Sequence, residues 1–410
     1  QLIMGENNED HIDVSSSWFF NRDCFLIFKV LIVAGVLFYV VAYSLYIGVP
    51  IIRISLHEQN LDYDQTLSFD FQEYKISETK TKHVKRDKVI FYWNSFFNRK
   101  DWYEGFGHEP FMDCEHKNCI TTNDKQKFND SDAMLCHMRS NGCGLHQLPR
   151  VRKPHQYWIY FLMESPINSM SGETLKQYNG IFNLTATYKL DSDIIRSYDR
   201  TSLLIERTQD ESHSFYKGKS ASVAWVASNC ASGQGRLTYI SHLEKHIQMK
   251  RYGRCRGHSP CGINCFEDVA KEHKFYFAAE NSLCKDYITE KPFNALEVGM
   301  IPIVYGLGHY SKILPPNSYI DVRDFKSPRL VADYLKHVAS NETLYNSYFK
   351  WRDLYKTLES TSSSKYLCQL CTFLNQPDPP RKIVNNLDTF WSRANDCKDA
   401  DAFNQLIIQE

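Results

Sequence analysis

The sequence lacks an excess of either charge. Lysine and arginine number 48, aspartate and glutamate 48, so the formal net charge is zero. A nucleic-acid binder normally carries a basic surplus, so that class is set aside. A phosphate loop is missing too. Gly218-Lys219-Ser220 imitates its end, but His213 stands where the loop needs a further glycine. Zinc-finger spacing is also absent. Cys255, Cys261 and Cys265 crowd onto a Gly/Pro-rich excursion without the four ligands such a site requires. Disulfides are the expected use of these cysteines and of Cys368 and Cys371.

Charge is missing altogether from 30–52, a run of 23 residues bounded by Lys29 and Arg53. That length spans a bilayer as one helix, and it exceeds a signal-peptide core. A buried core helix is the alternative. Of the 13 cysteines, Cys24 precedes this run and the other 12 follow it. So many cysteines fit an oxidising compartment, and 12 permit up to six bridges whose connectivity stays open. Three glycosylation sequons, at Asn129, Asn183 and Asn341, lie on the same side. Together these features predict a single-pass type II membrane protein. Residues 1–29 form a cytoplasmic tail, 30–52 the anchor and 53–86 a stem, with the remainder in the secretory lumen.

The 410 residues leave room for two ordinary domains, placed at 87–215 and 216–372. Residues 373–410 carry no motif and read as a surface tail. In the first domain, 88–93, 133–137, 157–163 and 182–188 are strand candidates. The unbroken apolar run 157–163 is expected to be covered on both faces. Glu164 follows it directly. A carboxylate there faces the crevice at the end of a parallel sheet, where partial burial raises its pKa and strengthens it as a base. Pairing with an arginine for structure is the plainer alternative. Asp191-Ser192-Asp193 has the form of a metal-holding DxD motif, a pattern that also arises easily by chance.

The second domain repeats one unit twice. A strand at 220–227 ends at Ser228-Asn229, and a helical pattern runs from Arg236 through Lys250. Another strand at 275–279 ends at Glu280-Asn281. A polar loop with Lys285, Asp286 and Tyr287 follows, then a helix capped by Thr289 and opened by Glu290-Lys291. Pro292 falls in the first turn, Gly299 stops the helix, and 301–305 is the next strand. Two helix starts, each with a cation, would face one crevice. Free N–H groups and positive charge there suit a diphosphate without a metal.

The string Phe277-Ala278-Ala279-Glu280-Asn281-Ser282, with Asp286-Tyr287 and Thr289-Glu290-Lys291, resembles the donor-site signature of the α1,3-fucosyltransferases. It departs from that signature at Ala279, usually phenylalanine, and at Pro292, usually a bulky apolar residue. Met163-Glu164-Ser165-Pro166 resembles the family segment whose glutamate is the catalytic base. Val223-Ala224-Trp225 through Ser228-Asn229, followed by Arg236, resembles the segment whose arginine binds the donor diphosphate. His137-Met138-Arg139 answers to the family's His-His-Arg in part, and the likeness runs from about 88 to 372.

The resemblance implies an α/β fold of GT-B type, two Rossmann-like domains facing a cleft, plus the single transmembrane helix. It implies an inverting enzyme moving L-fucose from GDP-fucose to the 3-OH of an N-acetylglucosamine unit in a glycan. Glu164 would be the base, and Arg236 and Lys291 the diphosphate clamp. Asn281 and Tyr287 would bond phosphate and Glu290 the sugar hydroxyls, with Ser228 and Asn229 completing the donor site. In that family the DSD segment belongs to the acceptor side and holds no metal, so no cofactor is required and Mn²⁺ is stimulatory at most. A Golgi membrane location is expected. Two alternatives are a catalytically inactive lumenal glycan-binding homologue and a transferase for another nucleotide sugar.

Overall fold

A computed structural model describes residues 86–139, 142–198, 201–203, 214–229, 234–255, 257–357 and 365–409. The proposed anchor at 30–52, the tail before it and the stem up to residue 85 lie outside the described residues. Among the described residues no helix is long and apolar enough to cross a membrane.

Two parallel sheets organise the chain. The first contains β1 (Lys88–Tyr92), β2 (Cys119–Thr122), β3 (Ala133–His137), β4 (Tyr157–Leu162), β5 (Leu184–Thr187) and β6 (Ile194–Ile195). Its order is β2-β1-β3-β4-β5-β6. All six residues of β4 are buried, as an unbroken apolar run between two covered faces requires.

The second sheet contains β7 (Ser220–Val226), β8 (Met249–Tyr252), β9 (His273–Ala279), β10 (Ile301–Tyr305) and β11 (Ile320–Asp321). Its order is β11-β10-β9-β7-β8, every pairing parallel. The chain leaves β7 toward one edge and β9 toward the other. Their ends therefore flank a topological switch point, where open α/β sheets bind ligands.

Helices follow both of those strands. After β7 comes α1 (Gln234–Leu243), and after β9 comes α3 (Glu290–Glu297). Between them lies α2 (Cys265–Glu272), and beyond β11 lies α4 (Pro328–Ser340). The helical pattern expected through Lys250 ends at Leu243, because Met249–Tyr252 pairs as edge strand β8. Gly299 closes α3 with φ +73°, and a Cβ there would stand 2.4 Å from the Phe215 ring. Only glycine fits both conditions.

The C-terminal segment differs most from expectation. Helix α5 (Lys365–Leu374), grouped with the second domain by its place in the chain, packs into the core of the first sheet through Leu367, Leu370 and Leu374. Leu387 and Trp391 are fully buried against that sheet's other face. Helix α6 (Ala400–Ile407) buries Phe403 and Ile407 in the core of the second sheet. This is no surface tail: it crosses from one core to the other.

Disulfides secure the crossing. Cys114 pairs with Cys368 and Cys119 with Cys371, which holds α5 to the first lobe. Cys284 pairs with Cys397, and Cys136–Cys143 and Cys261–Cys265 close local loops.

Of the three sequons, Asn129 and Asn341 are exposed. Asn341 caps a short helix through Oδ1, which accepts from the Leu344 N–H at 3.0 Å. Asn183 is a correction. It is 5% exposed, its Nδ2 donates to the Lys382 carbonyl at 2.8 Å, and its Oδ1 accepts from the Trp158 N–H at 2.8 Å. A glycan needs that nitrogen and open space beside it, and the fold supplies neither.

Candidate active site

Arg236 stands in the first turn of α1, 4% exposed. Its guanidinium donates to the Asn229 carbonyl at 2.8 Å and to the Ala279 carbonyl at 3.4 Å, so it ties the ends of β7 and β9 together. Trp225 lies 5.5 Å beneath it. Burial pulls its pKa down, while Glu280 opposes that shift. The Nε donor finds no partner among the described residues. A buried cation with a spare donor at a switch point is equipped to receive an anion.

Lys291 opens α3 from the other side, and it is not a free charge. Its Nζ lies 2.8 Å from Glu280 and 2.6 Å from the Thr289 hydroxyl, with Glu290 at 3.8 Å. Burial works against the ammonium, but Glu280 and then Glu290 outweigh it, and the pKa rises above the lysine value. Thr289 makes no side-chain cap to α3. Its hydroxyl and N–H both bond Glu280 instead, at 3.0 and 2.8 Å. The lysine's charge is thus offset by the Glu280 carboxylate beside it.

A cavity of about 320 Å³ joins these groups. Its lining includes Ser228, Asn229, Arg236, Asn281, Glu290 and Lys291. The structure thus brings six of the seven expected donor contacts to one space. Tyr287 does not line that cavity: it is 2% exposed and packs 4.9 Å from the Tyr188 ring, and burial, then Tyr198, Glu164 and Glu280, raise its pKa. Next to it, Asp286 adopts φ +60° and accepts from the Leu190 N–H at 3.2 Å, which links the loop to the first lobe. Asp286 also bonds His309.

Glu164 follows β4 and is half-buried. Burial raises its pKa. The nearby Arg139 and Lys291 pull it down, and Glu290 and Glu280 push it up. Glu164 itself does not line the donor cavity. Arg139 donates to the Asn168 carbonyl, and the Tyr198 hydroxyl donates to the Met163 carbonyl at 2.9 Å, which fences the strand end.

The DSD segment has other partners. Asp193 accepts from the Thr185 N–H at 2.8 Å and pairs with Lys382, while Asp191 pairs with Lys285 at 3.0 Å. Glu280 is the residue whose part the sequence reading missed. It ends an apolar strand as Glu164 does, so the same signal was present. What was missing was its direction, inward onto Thr289 and Lys291.

Two family models match most of the described chain. Residues 85–199 match the model described as Fucosyltransferase, N-terminal. Residues 216–391 match Glycosyltransferase family 10 (fucosyltransferase) C-term. Alpha-(1,3)-fucosyltransferase C of Drosophila melanogaster is 32% identical over 349 residues, 76% of this chain and 79% of its own. The human 4-galactosyl-N-acetylglucosaminide 3-alpha-L-fucosyltransferase 9 is 34% identical over 277 residues, 67% of this chain and 75% of its own. A crystal structure of an alpha1,3-fucosyltransferase with GDP-fucose aligns at TM-score 0.46 and 16% identity, over 74% of this chain and 94% of its own. The chain belongs to glycosyltransferase family 10, among its α1,3-fucosyltransferases.

Proposed function

We propose that the chain is a GT-B-type inverting transferase that moves L-fucose from GDP-fucose to the 3-OH of an N-acetylglucosamine unit in glycoprotein or glycolipid glycans. One observation carries this reading. Arg236 and Lys291, at two helix starts flanking the switch point, line one cavity, and Glu164 stands half-buried just past the end of a first-lobe strand.

Glu164 takes the proton of the acceptor hydroxyl as its oxygen bonds to the anomeric carbon. The bond from that carbon to the diphosphate breaks on the opposite face, so a β-linked donor gives an α-linked product. GDP leaves with the electron pair. Arg236, with the paired Lys291 beside it, stabilises the charge that develops on the leaving oxygen, a role worth roughly 3–4 kcal/mol per well-placed donor. Glu290 and Asn281 bond sugar and phosphate oxygens. The displacement asks for one base and a cationic clamp, so Mn²⁺ is stimulatory at most. Division at about 215, a type II anchor and a Golgi lumenal position complete the proposal.

A panel of labelled nucleotide sugars and glycan acceptors tests it. Transfer of fucose alone, to the 3-OH of N-acetylglucosamine, is expected. GDP binding without turnover would mark an inactive homologue, and turnover of another donor would replace the substrate.

A further inference from the structure

We propose that the C-terminal segment 392–400, beyond the end of the family match at 391, forms one wall of the binding site for the acceptor sugar. This rests on the donor assignment above.

A second cavity, of about 630 Å³, adjoins the donor cavity, and the two share Arg236 and Asn281. Their walls differ. The donor cavity is lined by the second lobe alone, from Val226 to Asn294. The larger one is built from three parts: Ile167 and Ser171 of the first lobe, Tyr305 and Ser282 of the second, and Arg393 to Ala400 of the C-terminal segment.

Inverting displacement fixes where the acceptor must enter. Its hydroxyl has to meet Glu164 on one side and the anomeric carbon on the other, with the diphosphate beyond. A donor whose diphosphate lies on Arg236 and whose nucleoside fills the second-lobe cavity leaves the approach from the side where both lobes meet. The larger cavity opens where both lobes meet, and its first-lobe wall, Ile167, Ser171 and Gly172, begins three residues after Glu164, which does not itself line it. The Ser171 hydroxyl and the Lys398 ammonium beside apolar Ile167 suit a sugar, which presents hydroxyls and C–H faces together.

The wall is held rigidly. The Cys284–Cys397 disulfide staples it to the donor loop. The Lys285 N–H donates to the Asp396 carbonyl at 2.7 Å, and the Lys398 N–H to the Leu283 carbonyl at 2.8 Å. Buried Lys189 of the first lobe pairs with Asp396 at 3.0 Å. A wall fixed to both lobes is pre-organised, which lowers the ordering cost of binding. Arg393, Ala394, Lys398 and Asp399 are exposed and line the cavity.

Ala394→Trp adds bulk at an exposed position facing the cavity. In the detergent-solubilised full chain, with GDP-fucose and N-acetyllactosamine or chitobiose as probes, we expect the acceptor KM to rise about tenfold or more. The GDP-fucose KM and the Kd of GDP should stay within about twofold of wild type. Lys398→Ala repeats the test without added bulk, and an acceptor KM up about threefold is expected. A higher GDP-fucose KM with an unchanged acceptor KM would assign the cavity to the nucleoside and overturn the proposal. Unchanged constants in both variants, with wild-type thermal midpoints, would overturn it as well. Wild-type protein that binds no GDP would instead overturn the donor reading beneath it.

Discussion

At the residue scale, burial shifts two titrating groups, one at the site and one in the first-lobe core. Glu164 is half-buried, and its carboxyl titrates above the ordinary 4.5 chiefly because of that burial. Only its ionised form accepts a proton. The acid limb of kcat/KM should therefore fall with a one-proton slope through a pH above 4.5, and a limb below that value would count against Glu164 as base. Glu164→Gln should lower kcat by about 10²–10⁴-fold while calorimetry finds GDP binding intact. Full activity in that variant would remove the assignment. His137 is the second case. It is fully buried beside Phe96, 4.6 Å between ring centres, and burial lowers its pKa from 6.5 to about 4. Between those values the unfolded chain holds a proton that the folded one does not. Stability is thus complete above about pH 6.5 and is lost as pH falls toward 4, by about 3 kcal/mol in all. Denaturant midpoints measured against pH should show this slope in wild type and a shallower one in His137→Phe.

At the scale of elements, the strands of both sheet centres were legible because parallel strands covered on two faces are contiguous apolar runs. The stretches 133–137 and 301–305 coincide with β3 and β10. Edge strands were not legible. Met249–Tyr252 buries only Tyr252 and carries Lys250 and Arg251 side by side, so no run of apolar residues announces it. Helix α6 escaped notice for a related reason: its buried Phe403 and Ile407 are too few to set a pattern. Yet α6 supports the clamp. Asn404, 4% exposed, donates to the Gly235 carbonyl at 2.7 Å and accepts from the Tyr305 hydroxyl at 2.9 Å. A Cβ on Gly235 would come within 2.3 Å of Ala400 Cβ. These contacts seat the turn that carries Arg236. Asn404→Leu should cost about 1–3 kcal/mol for each buried group left unpaired. Its GDP-fucose KM should rise as well, and chemical denaturation with steady-state kinetics reads both effects.

Across the whole molecule, the charges of the site were visible in the sequence, but their pairing was not. Spacing placed Arg236 and Lys291 at two helix starts. It carried no information on the partner of Glu280, which depends on which way a buried side chain turns. Nor could twelve cysteines be sorted into pairs, since that depends on the route of the C-terminal segment. Cys119–Cys371 spans 252 residues and joins α5 to the first sheet. Replacing both cysteines by alanine should cost about 2–5 kcal/mol, read as a lower thermal midpoint, whereas removing the local Cys261–Cys265 bridge should cost less. Equal losses would mean that the long bridge adds nothing beyond its contacts.

The route of α5 also governs how the protein is made. Leu367, Leu370 and Leu374 complete a core whose strands emerge some 200 residues earlier, and Phe403 and Ile407 complete the other. Neither lobe can finish before the stretch 365–407 has been made. The nascent polypeptide must wait with two open hydrophobic faces, and a stop codon before residue 365 leaves both lobes unsealed.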